Sequence, residues 1–143
     1  VKALSWYSEG VEAIFVAAGG AGSSVMAAAE EADKKVIGVD VDQSNLSESV
    51  ITSAMKGLTS SVELALTDLY AGNFKGGVID TLDVTVGGVG LPADFSRFST
   101  FTQADYDAIF AKLVSGEVVV VKDAASVNDL AVTKTTVTLI GAE

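Results

Sequence analysis

The chain has 143 residues and carries 9 Lys and Arg against 19 Asp and Glu, a net charge of −10. That length makes one domain able to bury roughly 70% of its unfolded surface, and the acid excess opposes contact with phosphate backbones, so no nucleic acid is expected as partner. The sequence holds no Cys and no His, which excludes disulfides, Cys-based metal sites, Ser-His-Asp triads and imidazole bases.

In chain order, residues 1–9 read as the end of a helix. Val1, Ala3, Leu4 and Tyr7 are spaced as an apolar stripe, and Gly10 stands where a C-cap belongs. With no initiator Met and no signal peptide, the chain is expected to be a fragment that starts inside an element. No run approaches the ~18–20 apolar residues of a membrane span. Residues 11–18 are apolar apart from Glu12 and end in Gly19-Gly20-Ala21-Gly22, as a buried strand feeding a turn does. Residues 23–32 are Ala-rich and predicted helical, capped by Ser23 or Ser24. Residues 34–40 form a second buried strand. Helix, strand, helix and strand in this order are the unit of a parallel α/β sheet.

A polar stretch over 42–49 precedes a third strand over 50–54. Residues 60–70 have Val62, Leu64, Ala65, Leu66 and Leu69 in helical register, stopped by Gly72. Residues 78–86 are β-branched and read as a strand, broken by Gly87-Gly88-Val89-Gly90. Residues 95–101 are an aromatic-rich loop. Thr102 or Asp105 opens a helix carrying Tyr106, Ile109, Phe110, Leu113 and Val114, closed by Gly116. Residues 118–121 read as a strand, and the alternating tail from Val132 to Ile140 as a half-exposed final strand.

Three strand ends carry the chemistry. The glycine turn after the first strand presents free N–H groups at the sheet's carboxyl edge, where an anionic or hydroxyl-rich ligand sits well. Gly20 and Gly22 fit the first two places of a G-x-G-x-x-G fingerprint, but Val25 holds the third. A tight turn with close helix–strand packing explains the glycines equally well. Asp40 ends the second strand and can accept two hydrogen bonds from vicinal hydroxyls; a capping or turn Asp is the plainer alternative. The acids Asp40 and Asp42 lack the spacing of a calcium loop. Lys56 follows the third strand and can pair with Asp40, against the commoner solvated lysine. Of Phe95, Phe98, Phe101, Tyr106 and Phe110, a ring near the cleft could stack on a planar base, while helical spacing assigns Tyr106 and Phe110 to core packing. No nucleophile is paired with a base, so the polar groups suit binding rather than bond-breaking and no enzyme is expected.

These stretches, from Gly10-Val11-Glu12-Ala13-Ile14-Phe15 through Val36-Ile37-Gly38-Val39-Asp40-Val41-Asp42-Gln43, Val50-Ile51-Thr52-Ser53-Ala54-Met55-Lys56 and Gly72-Asn73-Phe74-Lys75-Gly76-Gly77 to Gly87-Gly88-Val89-Gly90-Leu91 and Lys112-Leu113-Val114-Ser115-Gly116-Glu117-Val118, resemble the C-terminal half of the basic membrane protein family. These are substrate-binding lipoproteins of ABC transporters, among them purine nucleoside receptors. The resemblance implies a type I periplasmic-binding-protein fold. This chain would be one three-layer, Rossmann-like α/β lobe with a mostly parallel sheet, spanning residues 1–121, followed by a tail over 122–143 expected to add an extra strand. The other lobe, the signal peptide and the lipid-bearing Cys would lie upstream. The resemblance also implies that Asp40 and Lys56 hold ribose hydroxyls, that Phe15 stacks near the base, and that Gly19, Gly20 and Gly22 line the cleft. It implies no cofactor and no metal, an ABC permease as partner, and an extracytoplasmic, lipid-anchored setting for the full-length protein. Two departures stand out: Val86 precedes Gly87 where the family often has an acid, and the tail beyond Val121 is long.

Two further readings compete. One is an NAD-type dinucleotide-binding domain of an oxidoreductase, which Val25 and the missing His oppose. The other is an α/β interaction module without a ligand, whose exposed apolar surface would make a truncated lobe form a homodimer.

Overall fold

The computed structural model describes residues 2–121, Ser126, Val132, residues 134–138 and Ile140. The elements run α1 (Lys2–Ser8), β1 (Ala13–Phe15), α2 (Gly22–Ala32), β2 (Lys35–Asp40), β3 (Val50–Lys56), α3 (Leu58–Tyr70), β4 (Val89–Gly90) and α4 (Gln103–Val114). Single 3-10 turns occupy Gly19–Ala21 and Val84–Val86. The four strands form one open sheet in the order β1-β2-β3-β4. β1, β2 and β3 are parallel, and β4 is antiparallel to β3. The chain is therefore a mixed α/β unit with a mostly parallel sheet, as its alternating periodicities predict.

The core lies where α1 and α2 meet β2 and β3. Tyr7, Val16, Met26, Ala28, Ala29, Val36 and Val50 are buried together, with Leu4, Ile14 and Val25 against them. Val36 and Val50 have no exposed surface and occupy the middle of the sheet. Burying each contributes about 1.5–3 kcal/mol. The first turn is closed as its glycine predicts. Val11 N–H donates to the Trp6 carbonyl at 3.0 Å across Gly10, whose φ of +102° favours glycine.

β2 returns to β3 through residues 41–49 without a helix. A return built of turns leaves backbone carbonyls that must find donors. Arg97 supplies them: its Nη1 donates to the carbonyls of Ser44, Ser47 and Val50 at 3.1, 3.0 and 2.7 Å. Its Nη2 lies 3.1 Å from Glu48.

Several predicted elements differ. The first strand covers three residues rather than eight and is not buried: β1 lies at the sheet edge, with Ala13 and Phe15 exposed. Residues 78–86 are not a strand: the Asp83 carboxylate accepts from Thr85 N–H at 2.9 Å and caps a 3-10 turn instead. The place beside β3 is taken by β4, in the stretch predicted to be a break. Residues 118–121 are also not a strand; Val119 and Val120 are exposed, and no strand among the described residues lies beside them. In the tail, Val132, residues 134–138 and Ile140 are not in strand conformation. The rest of the predicted final strand lies outside the described residues. α3 forms as predicted but buries none of its side chains, and Leu58, Val62, Leu66 and Leu69 are exposed.

Candidate ligand-binding site

Parallel strands deliver their C-terminal ends to one edge, and the connecting loops leave a crevice there. In this chain the crevice is a cavity of about 570 Å³. Its walls take Phe15 from β1, Val39 and Asp40 from β2, and Ala54, Met55 and Lys56 from β3. Gly19 adds the turn before α2. β4 and Leu91 form a further wall, and α4 contributes Tyr106, Phe110 and Leu113.

Asp40 and Lys56 supply the charges. Asp40 is in register with Met55 on the neighbouring strand, so Lys56 follows one residue on. Its ammonium reaches Asp40 Oδ1 at 2.7 Å, with both side chains more than half exposed. An ion pair so exposed adds little to stability. It leaves one carboxylate oxygen and ammonium protons to meet a ligand.

The backbone under Asp40 is unusual. Its φ is +70°, and Val41 N–H donates to the Val39 carbonyl at 2.8 Å. That is a γ-turn centred on a residue with a side chain, a strained arrangement worth roughly 1–3 kcal/mol. It turns the chain sharply at the end of β2 and puts the carboxylate at the cavity mouth.

The opposite wall depends on the glycines of residues 87–90. Gly57 N–H donates to the Gly88 carbonyl at 2.8 Å, and β4 pairs Met55 with Gly90 and Lys56 with Val89. A Cβ on Gly57 would overlap the Gly87 carbonyl, so only glycine permits this approach. Beyond β4, the Tyr106 hydroxyl accepts from Leu91 N–H at 3.3 Å, tying α4 to the wall. α4 starts in a capping box: Thr102 Oγ1 accepts from Asp105 N–H, and the Asp105 carboxylate accepts from Thr102 N–H.

The structure thus brings Phe15, Gly19, Asp40 and Lys56 to one cavity. Gly20 and Gly22 are not among the lining residues. Gly22 is buried as the first residue of α2, and a Cβ there would meet Val16 at 4.0 Å. Gly20 lies within the 3-10 turn, with open space where a Cβ would stand, so neither glycine is required by close packing. Tyr106 and Phe110, assigned by spacing to core packing, instead line the cavity. Phe95, Phe98 and Phe101 cluster beside Tyr106, with ring centroids 5.3–5.9 Å apart. Sequence reasoning missed Met55, Val89 and Leu91. The alternation of Val89 and Leu91 about Gly90 was the available signal for the last two. Among the described residues, no group of three or more acids is placed to hold a metal ion.

Residues 2–124 match the Bmp family, described as "ABC transporter substrate-binding protein PnrA-like". The chain is 33% identical over 133 residues to the "CD4+ T-cell-stimulating antigen" of Listeria monocytogenes, covering 81% of this chain and 37% of the relative. It is 31% identical over 122 residues to "Basic membrane protein A" of Borreliella afzelii, covering 82% of this chain and 38% of the relative. The chain therefore spans well under half the length of these relatives. Its fold is similar to a solute-binding protein of an ABC transporter system from Aeropyrum pernix K1, with a TM-score of 0.65 at 20% identity, covering 89% of this chain and 44% of that one.

Proposed function

The chain belongs to the Bmp family of PnrA-like ABC transporter substrate-binding proteins, and from that premise we propose that it is one ligand-holding lobe for a purine nucleoside. The observation that carries this reading is the Asp40–Lys56 pair, 2.7 Å apart at the mouth of a mostly apolar cavity. The cavity volume of about 570 Å³ falls within the range of small-molecule sites, roughly 300–1,000 Å³. A nucleoside needs a flat apolar slot at one end and a hydroxyl-binding pair at the other. Phe15, 57% exposed at the cavity wall, offers a ring for the base. Asp40 accepts from the vicinal ribose hydroxyls and Lys56 donates to them. The Tyr106 and Phe110 rings extend the apolar wall.

In the full-length protein a second lobe closes over this edge, in the hinge-closure manner of periplasmic binding proteins, and the closed form engages a permease outside the cytoplasm. The uncovered leucines of α3 support a larger assembly, since a helix with a Leu-rich face is stable when that face is covered. No helix among the described residues is long and apolar enough to cross a membrane. A lone lobe binds its ligand weakly, because half the enclosure is gone.

A thermal-shift panel tests this: inosine, guanosine, adenosine, ribose, hypoxanthine and NAD, each in excess with the 143-residue chain. Nucleosides should raise the melting temperature more than ribose or the free base does. A response to NAD alone would overturn the reading in favour of a dinucleotide domain.

A further inference from the structure

The γ-turn that presents Asp40 is clamped by a residue outside it. Val39 gives its carbonyl to Val41 within the turn, and its N–H donates to the side-chain Oε1 of Gln43 at 3.0 Å. Gln43 is itself anchored, because its own N–H donates to Ser53 Oγ at 3.0 Å. Ser53 is fully buried on β3, in register with Gly38 of β2. Gly38 leaves the space these groups fill: a Cβ there would come within 2.5 Å of Gln43 Oε1 and 2.7 Å of Ser53 Oγ. Gln43 therefore folds back over a glycine and bonds to both strands that carry the charged pair.

We propose that Gln43 is a positioning residue that locks the Asp40 turn, so that the carboxylate stays over Lys56 at the cavity mouth. A positive φ with a side chain persists only where neighbours enforce it. The Val41 N–H to Val39 carbonyl bond closes the turn from within, and the contact that fixes it from outside is the Gln43 acceptor on Val39 N–H. The value of the device for binding rests on the nucleoside reading of Asp40, while the lock itself does not.

The test uses the 143-residue chain and amide hydrogen exchange followed by NMR. Gln43→Met keeps bulk and removes the acceptor; Gln43→Glu keeps an acceptor for Val39 N–H. Gln43 is only partly buried, so both variants should fold. In Gln43→Met, protection of Val39 and Val41 should fall about fivefold, the weight of one hydrogen bond, while Val36 and Val50 keep theirs. Gln43→Glu should restore protection to within about threefold of the parent. Gly38→Ala, which pushes the Gln43 side chain away, should reproduce the local loss. Unchanged protection of Val41 in Gln43→Met, or a loss spread evenly over β2 and β3, would overturn the inference. Inosine affinity is read alongside, and should fall in Gln43→Met and recover in Gln43→Glu. If Asp40→Ala binds inosine as the parent does, the nucleoside reading fails, and the exchange at Val41 still judges the lock separately.

Discussion

Asp40 and Lys56 end adjacent parallel strands, and the ammonium of one lies 2.7 Å from the carboxylate of the other. Because the pair is exposed, its loss should be felt in binding rather than in folding. In the full-length protein, Asp40→Ala and Lys56→Ala should each weaken nucleoside binding about tenfold or more, since a charged partner is lost. Their melting temperatures should stay within about 3 °C of the parent. Isothermal titration and calorimetry on the same samples check both halves of that expectation.

Gly57 carries the wall opposite. Gly57→Ala places a methyl group on the Gly87 carbonyl, so either the β3–β4 pairing or the turn at 84–86 must move. The variant should stay folded through the α1–α2 core but lose protection at Gly57 N–H and Lys56 N–H. Hydrogen exchange at these amides is the measurement.

Tyr7 ties α1 to the sheet. Its ring is buried and its hydroxyl donates to the Lys35 carbonyl at 3.0 Å. Tyr7→Phe should cost about 1 kcal/mol in urea unfolding. Burial also raises the Tyr7 hydroxyl above its ordinary value of 10.0. A raised value means the contribution is complete below pH 10 and is lost as pH rises through the folded value. The parent should therefore lose stability above pH 10 more steeply than Tyr7→Phe.

Asp105 gives the opposite slope. Hydrogen bonds from the Thr102 side chain and then its backbone hold the Asp105 carboxyl below its ordinary value of 3.8. A lowered value means its contribution is complete above that value and is lost as pH falls through the folded one. Stability of the parent should drop in acid below about pH 4 partly through this group, and Asp105→Asn should flatten that part of the curve. Thr102→Ala, lacking the cap, should lower the melting temperature by a few degrees at neutral pH. Acid titrations followed by circular dichroism decide it.

The parallel order of β1, α2, β2 and β3 was legible because each element has one clear period and each strand is a short apolar run. Asp40 and Lys56 were legible for the same reason: each directly follows such a run, and parallel strands put those ends together. β4 was not legible as a strand, because a single alternation of Val89 and Leu91 about Gly90 is too short to separate a two-residue strand from a glycine break. Arg97 had no local signal at all; its three carbonyl partners lie 47 to 53 residues away in sequence. Tyr106 and Phe110 illustrate a different limit. A helical spacing of rings fits a core and a cavity wall alike, and only the tertiary position of α4 separates them. The apolar run at 118–121 looked like a strand because composition reports what a segment can pair as, not whether a neighbour is there.

The most direct test is a chemical-shift titration of the 15N-labelled 143-residue chain with inosine into the millimolar range, where even weak lobe binding registers, at roughly −4 kcal/mol. Saturable shifts are expected at Phe15, Gly19, Asp40 and Lys56, and they should vanish in Asp40→Ala. No saturable change at these four amides, or changes confined to the separate cavity between α3 and residues 72–86, would contradict the account.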